Sequence, residues 1–224
     1  QMTAFQEENP MSLLEHSLAE LVCERPGATA IFHRHRLDFC CGGQQSLASA
    51  LAARGLAPEA IVAELEALPF GHDHDVDWRQ ADNATLIDHL LTRFHAVHRE
   101  QLPELIRLAR RVEQVHRERP GCPRGLASQL MLMAEELEAH MQKEEQILFP
   151  LFVRGELALA SGPVRVMEAE HEQHGGSLEL ISELTDDIAC VTWRALYQGL
   201  RQLREDLMLH IHLENHLLFP RAQA

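Results

Sequence analysis

Aromatic residues are scarce in this 224-residue chain: they make up 5%, with a single Tyr. Hydrophobic residues still reach 46%, so Leu, Ala, Ile and Val must build the interior. That supply suits helices packed on one another better than a sheet sandwich. Positive charge is also short, and the net charge of -14 argues against a nucleic-acid partner, because an acidic surface repels a phosphate backbone. It gives no attraction to anionic membranes either. No apolar run is long enough to span a bilayer, so no membrane segment is expected. Gln1-Met2-Thr3-Ala4-Phe5 lacks a basic stretch leading into an apolar core, so no secretory signal is expected. Five cysteines, an odd number, do not form the framework of a small secreted domain. A reducing cytoplasm is the expected location.

What is present divides the chain. Residues 12–68 read as several short helices. Ser17-x-x-Glu20 forms a candidate capping box, Pro26 should end that turn, and a second helix is expected near Ala28–His35. Ser46–Arg54 has helical character with Gly55 placed to stop it, and Pro58 suits the first turn of a helix running to about Leu68. The expected domains are a small helical module over 1–70, a linker over 71–82 and a large helical domain over 83–224. The thin core of the small module would profit from a partner surface, which leaves room for a homodimer. The linker alternates His and Asp (His72, Asp73, His74, Asp75); it reads as a solvated connector, with loose metal contact as the other reading.

From Asn83 the pattern is long and helical, with helices expected over about 84–115, 125–148, 163–188 and 192–218. Ser161-Gly162-Pro163 is the expected start of the third. Elements of this size would be roughly 35–40 Å long, the proportions of an up-down-up-down four-helix bundle. The fold class is therefore all-α.

A repeat runs through the bundle. His140-Met-Gln-Lys-Glu144-Glu-Gln-Ile-Leu-Phe-Pro150 returns seventy positions later as His210-Ile-His-Leu-Glu214-Asn-His-Leu-Leu-Phe-Pro220. A weaker match precedes each copy, Asp88-His89 and Glu170-His171. The chain thus reads as two helical hairpins, each giving one lone His and one His-x-x-x-Glu pair. Residues i and i+4 share a helix face, so each His–Glu pair points one way. If the helices converge, His89, His140, Glu144, His171, His210 and Glu214 supply six ligands.

Thiolates are absent from that set, which disfavours an iron–sulfur cluster, and a structural zinc would be complete with four ligands. Two octahedral ions bridged by Glu144 and Glu214 use six ligands naturally and leave one open position each. The imidazole content favours iron over manganese. A ferritin-like oxidase would carry more carboxylates and Glu-x-x-His spacing. A purely structural bundle would leave buried polar groups without return. A lone His-x-x-x-Glu is usually a solvated pair; two matched copies in long helices argue for the site.

Other residues carry weaker signals. His95 and His98 fall off the face of His89 and read as surface or outer groups. His174, three positions after His171, lies within reach of the site. Glu136 and Glu170 stand where they could hold a ligand imidazole, and Glu145 needs no functional role. Cys40 and Cys41, in Leu37-Asp38-Phe39-Cys40-Cys41-Gly42-Gly43, have two readings. A helix starting near Gln45 would lower a thiol pKa and make the pair redox-active or a transient iron holder; otherwise they are a buried and an incidental thiol beside a Gly-Gly turn. Cys23, Cys122 and Cys190 read as ordinary packing.

These residues resemble the iron-sulfur cluster repair di-iron proteins, the RIC or ScdA family, along almost the whole chain. Leu37 to Gly43 looks like the signature of the family's small N-terminal domain. Leu86-Ile87-Asp88-His89 with Arg93-Phe94-His95-x-x-His98-Arg99 looks like the start of its haemerythrin-like domain, with Phe94 where many relatives carry Tyr. The resemblance implies a cytoplasmic stress-response protein with two non-haem irons per chain, oxo- or hydroxo-bridged. It would restore iron–sulfur proteins with damaged clusters by iron donation, with the domain of Cys40 and Cys41 handling iron or contacting the acceptor protein. The alternative it implies is binding, scavenging or reduction of nitric oxide or dioxygen (O2) at the same centre.

Overall fold

The computed structural model describes residues 13–71, 76–181 and 190–223. Linker positions 72–75 and the expected third-helix end and fourth-helix approach at 182–189 lie outside them. The described residues form helices and turns, and the chain divides into two compact units, Gln1–Ala81 and Asp82–Ala224.

In the first unit α1 is Leu18–Glu24, α2 Ala28–Arg34, α3 Leu47–Arg54 and α4 Pro58–Glu66. Local chemistry sets their ends as the sequence suggested. The Ser17 hydroxyl accepts the Glu20 N–H and the Glu20 carboxylate accepts the Ser17 N–H, a complete capping box. Ser46 caps α3, and Gly55 closes it at a φ of 65° that favours glycine. Apolar residues three or four apart then meet in the interior, including Leu18 with Leu21, Leu47 with Leu51, and Ile61 with Leu65. Leu18 N–H donates to Gln45 O and Leu47 N–H to His16 O, which ties the starts of α1 and α3 together.

In the second unit α5 is Asn83–His89, α6 Ala96–His116, α7 Leu126–Lys143, α8 Phe149–Val153, α9 Leu157–Ile181 and α10 Val191–Leu213. Among the described residues four long helical rods result, because wide π-helical turns join three pairs of segments instead of breaking them. These turns are Leu90–His95 between α5 and α6, Glu144–Leu148 between α7 and α8, and Glu214–Leu218 before a 3-10 turn at Phe219–Ala222.

Each wide turn has a local cause. Pro150 and Pro220 cannot donate to a regular ladder, and a proline ring crowds the carbonyl four residues back. The chain widens just before them, so Phe149 N–H reaches Glu144 O and Phe219 N–H reaches Glu214 O. At the first turn, the Thr92 hydroxyl takes the Asp88 carbonyl at 2.8 Å and competes with the ladder.

The third rod starts earlier than expected. It begins at Leu157 and carries Pro163 inside it, not at its first turn. Buried Ala160, Val164 and Met167 hold that stretch against its neighbours and offset the lost hydrogen bond. Gly199 lets α10 approach α6 closely, since a Cβ there would lie 2.5 Å from Leu105 Cδ2. No described helix is long and apolar enough to cross a membrane.

Candidate metal centre

Among the described residues, each of the three π turns itself carries a ligating side chain. His95 closes the first turn, while Glu144 and Glu214 open the other two. Such turns re-aim side chains and recur at functional sites. Here they help bring two groups together, His95, Glu144, His210 and Glu214, and His140, Glu144, His171 and Glu214. Every one of these residues is buried, and in each group the ligating atoms lie within 4.8 Å of one another.

The two carboxylates belong to both groups, each with one oxygen facing either side. Glu144 Oε2 lies 3.3 Å from His95 Nε2, while its Oε1 lies 3.1 Å from His140 Nε2. Glu214 Oε1 lies 3.0 Å from His210 Nε2, while its Oε2 lies 3.1 Å from His171 Nε2. Imidazole nitrogens also confront each other, His95 Nε2 and His210 Nε2 at 3.2 Å, His140 Nε2 and His171 Nε2 at 3.0 Å.

The outer nitrogens are occupied. His95 Nδ1 meets Glu145 at 2.8 Å, His140 Nδ1 meets Glu170 at 2.8 Å, His171 Nδ1 meets Asn215 at 2.7 Å, and His210 Nδ1 meets His98 Nε2 at 3.2 Å. With the Nδ1 proton given outward, each Nε2 turns a lone pair inward. Both Glu144 oxygens and Glu214 Oε2 are buried without a hydrogen-bond donor. Lone pairs and unaccepted carboxylate oxygens converging on two points call for two cations. The set holds four imidazoles and two carboxylates and no thiolate, which suits imidazole- and oxygen-binding transition metals.

Electrostatics agree. Burial pushes His140 down, yet Glu144, Glu214 and Glu170 outweigh it and raise the imidazole to about 9. Burial and Glu214 push Glu144 up, yet His140 and His95 hold it below the usual carboxylate range. Protons and metal ions therefore compete for one centre.

His89 stands outside both groups. It is half-buried, with its ring edge-on to Phe94 at 5.6 Å, and His95 takes the place expected for it. The π turn between them breaks the regular spacing on which the face argument rested. A signal for His95 was present: His95-Ala-Val-His98 matches His171-Glu-Gln-His174. Glu145 was also missed, because its task lies on another rod, where it holds His95 and is itself held by Arg99 at 2.9 Å. Of the expected outer residues, Glu170 holds His140 and is paired with Lys143. Glu136 instead accepts from Gln173 at 3.4 Å. His174 lies edge-on against His140 with ring centroids 5.2 Å apart, and burial pushes it down to about 4. His98 is buried and likewise pushed down by burial to about 4, so it faces His210 as a neutral ring.

Cys40 and Cys41 sit differently from expectation. The next helix begins at Leu47 under its Ser46 cap, so its N-terminal N–H groups do not serve the thiols. Asp38 organises the loop, accepting N–H bonds from Cys40, Cys41 and Gly42 at 3.1, 3.0 and 3.1 Å. The Cys40 thiol donates to Asp38 Oδ1 at 3.2 Å, and its Sγ lies 3.7 Å from that of Cys41. The neighbouring Cys41, burial and Asp38 push the Cys40 thiol well above its ordinary pKa, the reverse of activation by a helix end. Asp38, Cys40 and Cys41 form a third, smaller group with metal-ligating atoms.

Four helical rods around two His–Glu groups define a dinuclear cation-binding bundle of the hemerythrin kind. The family profile described as Hemerythrin HHE cation binding domain matches residues 86–222, and that of ScdA_N, a domain of unknown function, matches residues 14–69. The chain is 50% identical over 217 residues to an iron-sulfur cluster repair protein YtfE of Yersinia pseudotuberculosis serotype IB (strain PB1/+), covering 95% of this chain and 98% of that one. It is 49% identical over the same length to the protein of that name from Yersinia pestis (strain Pestoides F), with the same coverage. The chain belongs to the YtfE family of iron-sulfur cluster repair proteins.

Proposed function

We propose that this chain carries two iron ions bridged by Glu144 and Glu214, and that it serves the repair of iron–sulfur clusters, the task named for its YtfE relatives. The observation that carries the reading is the division of each carboxylate between two pairs of imidazoles. An oxo or hydroxo bridge would complete the pair. Bound iron would supply an exchangeable metal ion and an open position for a small molecule such as NO or O2.

The protein's own residues would control how firmly that iron stays. Glu145, Glu170, His98 and Asn215 fix the four imidazoles from outside. Ferrous iron binds more weakly than ferric, so reduction is the reasonable trigger for release. The proposed organisation is a cysteine-bearing domain over 1–70, a linker over 71–82 and the iron-holding domain over 83–224. In it, Cys40 and Cys41 receive iron or contact the client, a cytoplasmic iron–sulfur protein with a damaged cluster. The Asp38 hydrogen bonds that hold both cysteines support that role.

The test compares apo-cluster reconstitution with NO consumption on the reduced, iron-loaded chain. Reconstitution with about two irons bound per chain is expected; rapid NO consumption without reconstitution would replace repair by gas chemistry. Exchanging both Cys40 and Cys41 for Ser should leave bundle iron intact and weaken reconstitution. Loss of the bundle iron would refute the separation of roles.

A further inference from the structure

The rods that open the two hairpins carry the same spacing, His95-Ala-Val-His98 and His171-Glu-Gln-His174. The first histidine of each faces the metal centre. The second of each stands beside the ligand imidazole of another rod. His98 and His210 have ring centroids 5.3 Å apart, and His174 and His140 have theirs 5.2 Å apart. The separations match, but the tilts do not: 30° in the first pair and 87° in the second.

The tilt follows from who holds Nδ1. His98 Nε2 meets the Nδ1 of His210 at 3.2 Å. At His140 the equivalent nitrogen is already bonded to Glu170 at 2.8 Å. His174 is left 2% exposed, with neither ring nitrogen hydrogen-bonded. Burying such a group without a partner is destabilising, and an apolar side chain of that size would avoid the cost. Glu170 lies at the edge of the site, within reach of solvent. Its side chain is 26% exposed and is shared with Lys143, whose own side chain is 41% exposed.

We propose that His174 is the stand-in for Glu170 at His140. When Glu170 is drawn toward the surface, the His174 ring turns toward the geometry of the His98–His210 pair and accepts the His140 Nδ1–H. The His140 ring then keeps its orientation, so its Nε2 stays aimed at the centre. It exchanges a carboxylate partner for a neutral one, which makes it a weaker metal ligand. His140 would thereby hold an iron shared with His171 less firmly, without letting it go. His174 is a positioning residue, and the inference rests on the dinuclear iron reading above.

The test is the half-life of iron on the full-length, iron-loaded chain challenged with an excess of a ferrous chelator after reduction. Glu170→Ala is expected to shorten it about three- to tenfold, and His174→Leu to change it less than about twofold. The double variant should lose iron at least about tenfold faster than the product of the single effects, since the two side chains serve one nitrogen in turn. In the Glu170→Ala background, His174→Gln, which can still accept a hydrogen bond, should return the half-life to within about threefold of Glu170→Ala alone. Single effects that simply multiply, or a Gln variant as fast as the Leu variant, would overturn the inference. Should the double Leu variant fail to fold, the Gln variant against Glu170→Ala decides alone. A wild-type chain that binds no iron would refute the underlying reading instead, which separates the two failures.

Discussion

The two hairpins of the bundle present the same atoms to the metal centre and support them differently. Each gives a lone His, a His-x-x-x-Glu pair and a wide turn that ends on the Leu of Leu-Phe-Pro. Behind that common face, Glu145 follows Glu144 and holds His95, whereas Asn215 follows Glu214 and holds His171. Glu170 precedes His171 and holds His140, whereas the residue before His95 is Phe94, stacked on His210 at 5.4 Å. The ligands cross between hairpins, so the differences balance. Each ion would have one imidazole backed by a carboxylate and one backed by a neutral group. Metal geometry constrains the inner atoms tightly, while several outer partners can satisfy one imidazole N–H.

The hairpins depend on each other most through the shared glutamates, so the largest effect is expected there. Glu144→Ala removes an oxygen from both ions and should leave less than about 0.5 iron per chain. His140→Ala removes a ligand from one ion and should leave about one. Iron quantification checks both, and a Glu144→Ala chain that keeps one firmly held ion would show that the carboxylate serves one side only.

A second comparison tests which histidine opens the first hairpin. His95→Ala should lower iron to about one per chain, and His89→Ala should leave it at two, because His89 stands outside both groups. The reverse result would return the ligand role to His89 and break the match between His95-x-x-His98 and His171-x-x-His174.

Much of the architecture could be read from residues whose effect is local. The Ser17–Glu20 box, the Gly55 stop and Pro58 in the first turn each act within four residues, and each appears where expected. The repeated His–Glu pairs were visible for the same reason, since i and i+4 neighbours share a face whatever the tertiary fold. What was hidden depends on breaks in regularity or on partners far along the chain. An unbroken helix puts His95 off the face of His89; the wide turn at Leu90–His95 removes that regularity, and the match of His95-x-x-His98 to His171-x-x-His174 was the one sequence signal pointing past it. Glu145 looks idle on its own helix, because its partner lies 50 positions away. Pro163 looks like a helix start until the buried neighbours on both sides show what holds it inside one. At Cys40 the activated-thiol reading needed N–H donors from a helix end; instead the Asp38 carboxylate, two residues away, accepts the Cys40 backbone N–H and the thiol proton.

The smallest expected effects probe the outer partners themselves. Glu145→Ala should speed iron loss to a chelator by about tenfold, in the range seen when the group behind a ligand imidazole is removed. Asn215→Ala should do less, because a hydrogen bond to a charged acceptor is roughly twice as strong as one to a neutral amide. The sharper variant is Asn215→Asp, which gives His171 the kind of support that His95 has. If the backing group sets imidazole basicity, this exchange should slow iron loss by about two- to threefold, by making His171 the stronger ligand. Faster loss from Asn215→Asp would mean that added negative charge behind His171 disrupts the centre more than it strengthens the ligand. The amide in the second hairpin would then be a requirement of the site and not a substitute for the acid in the first.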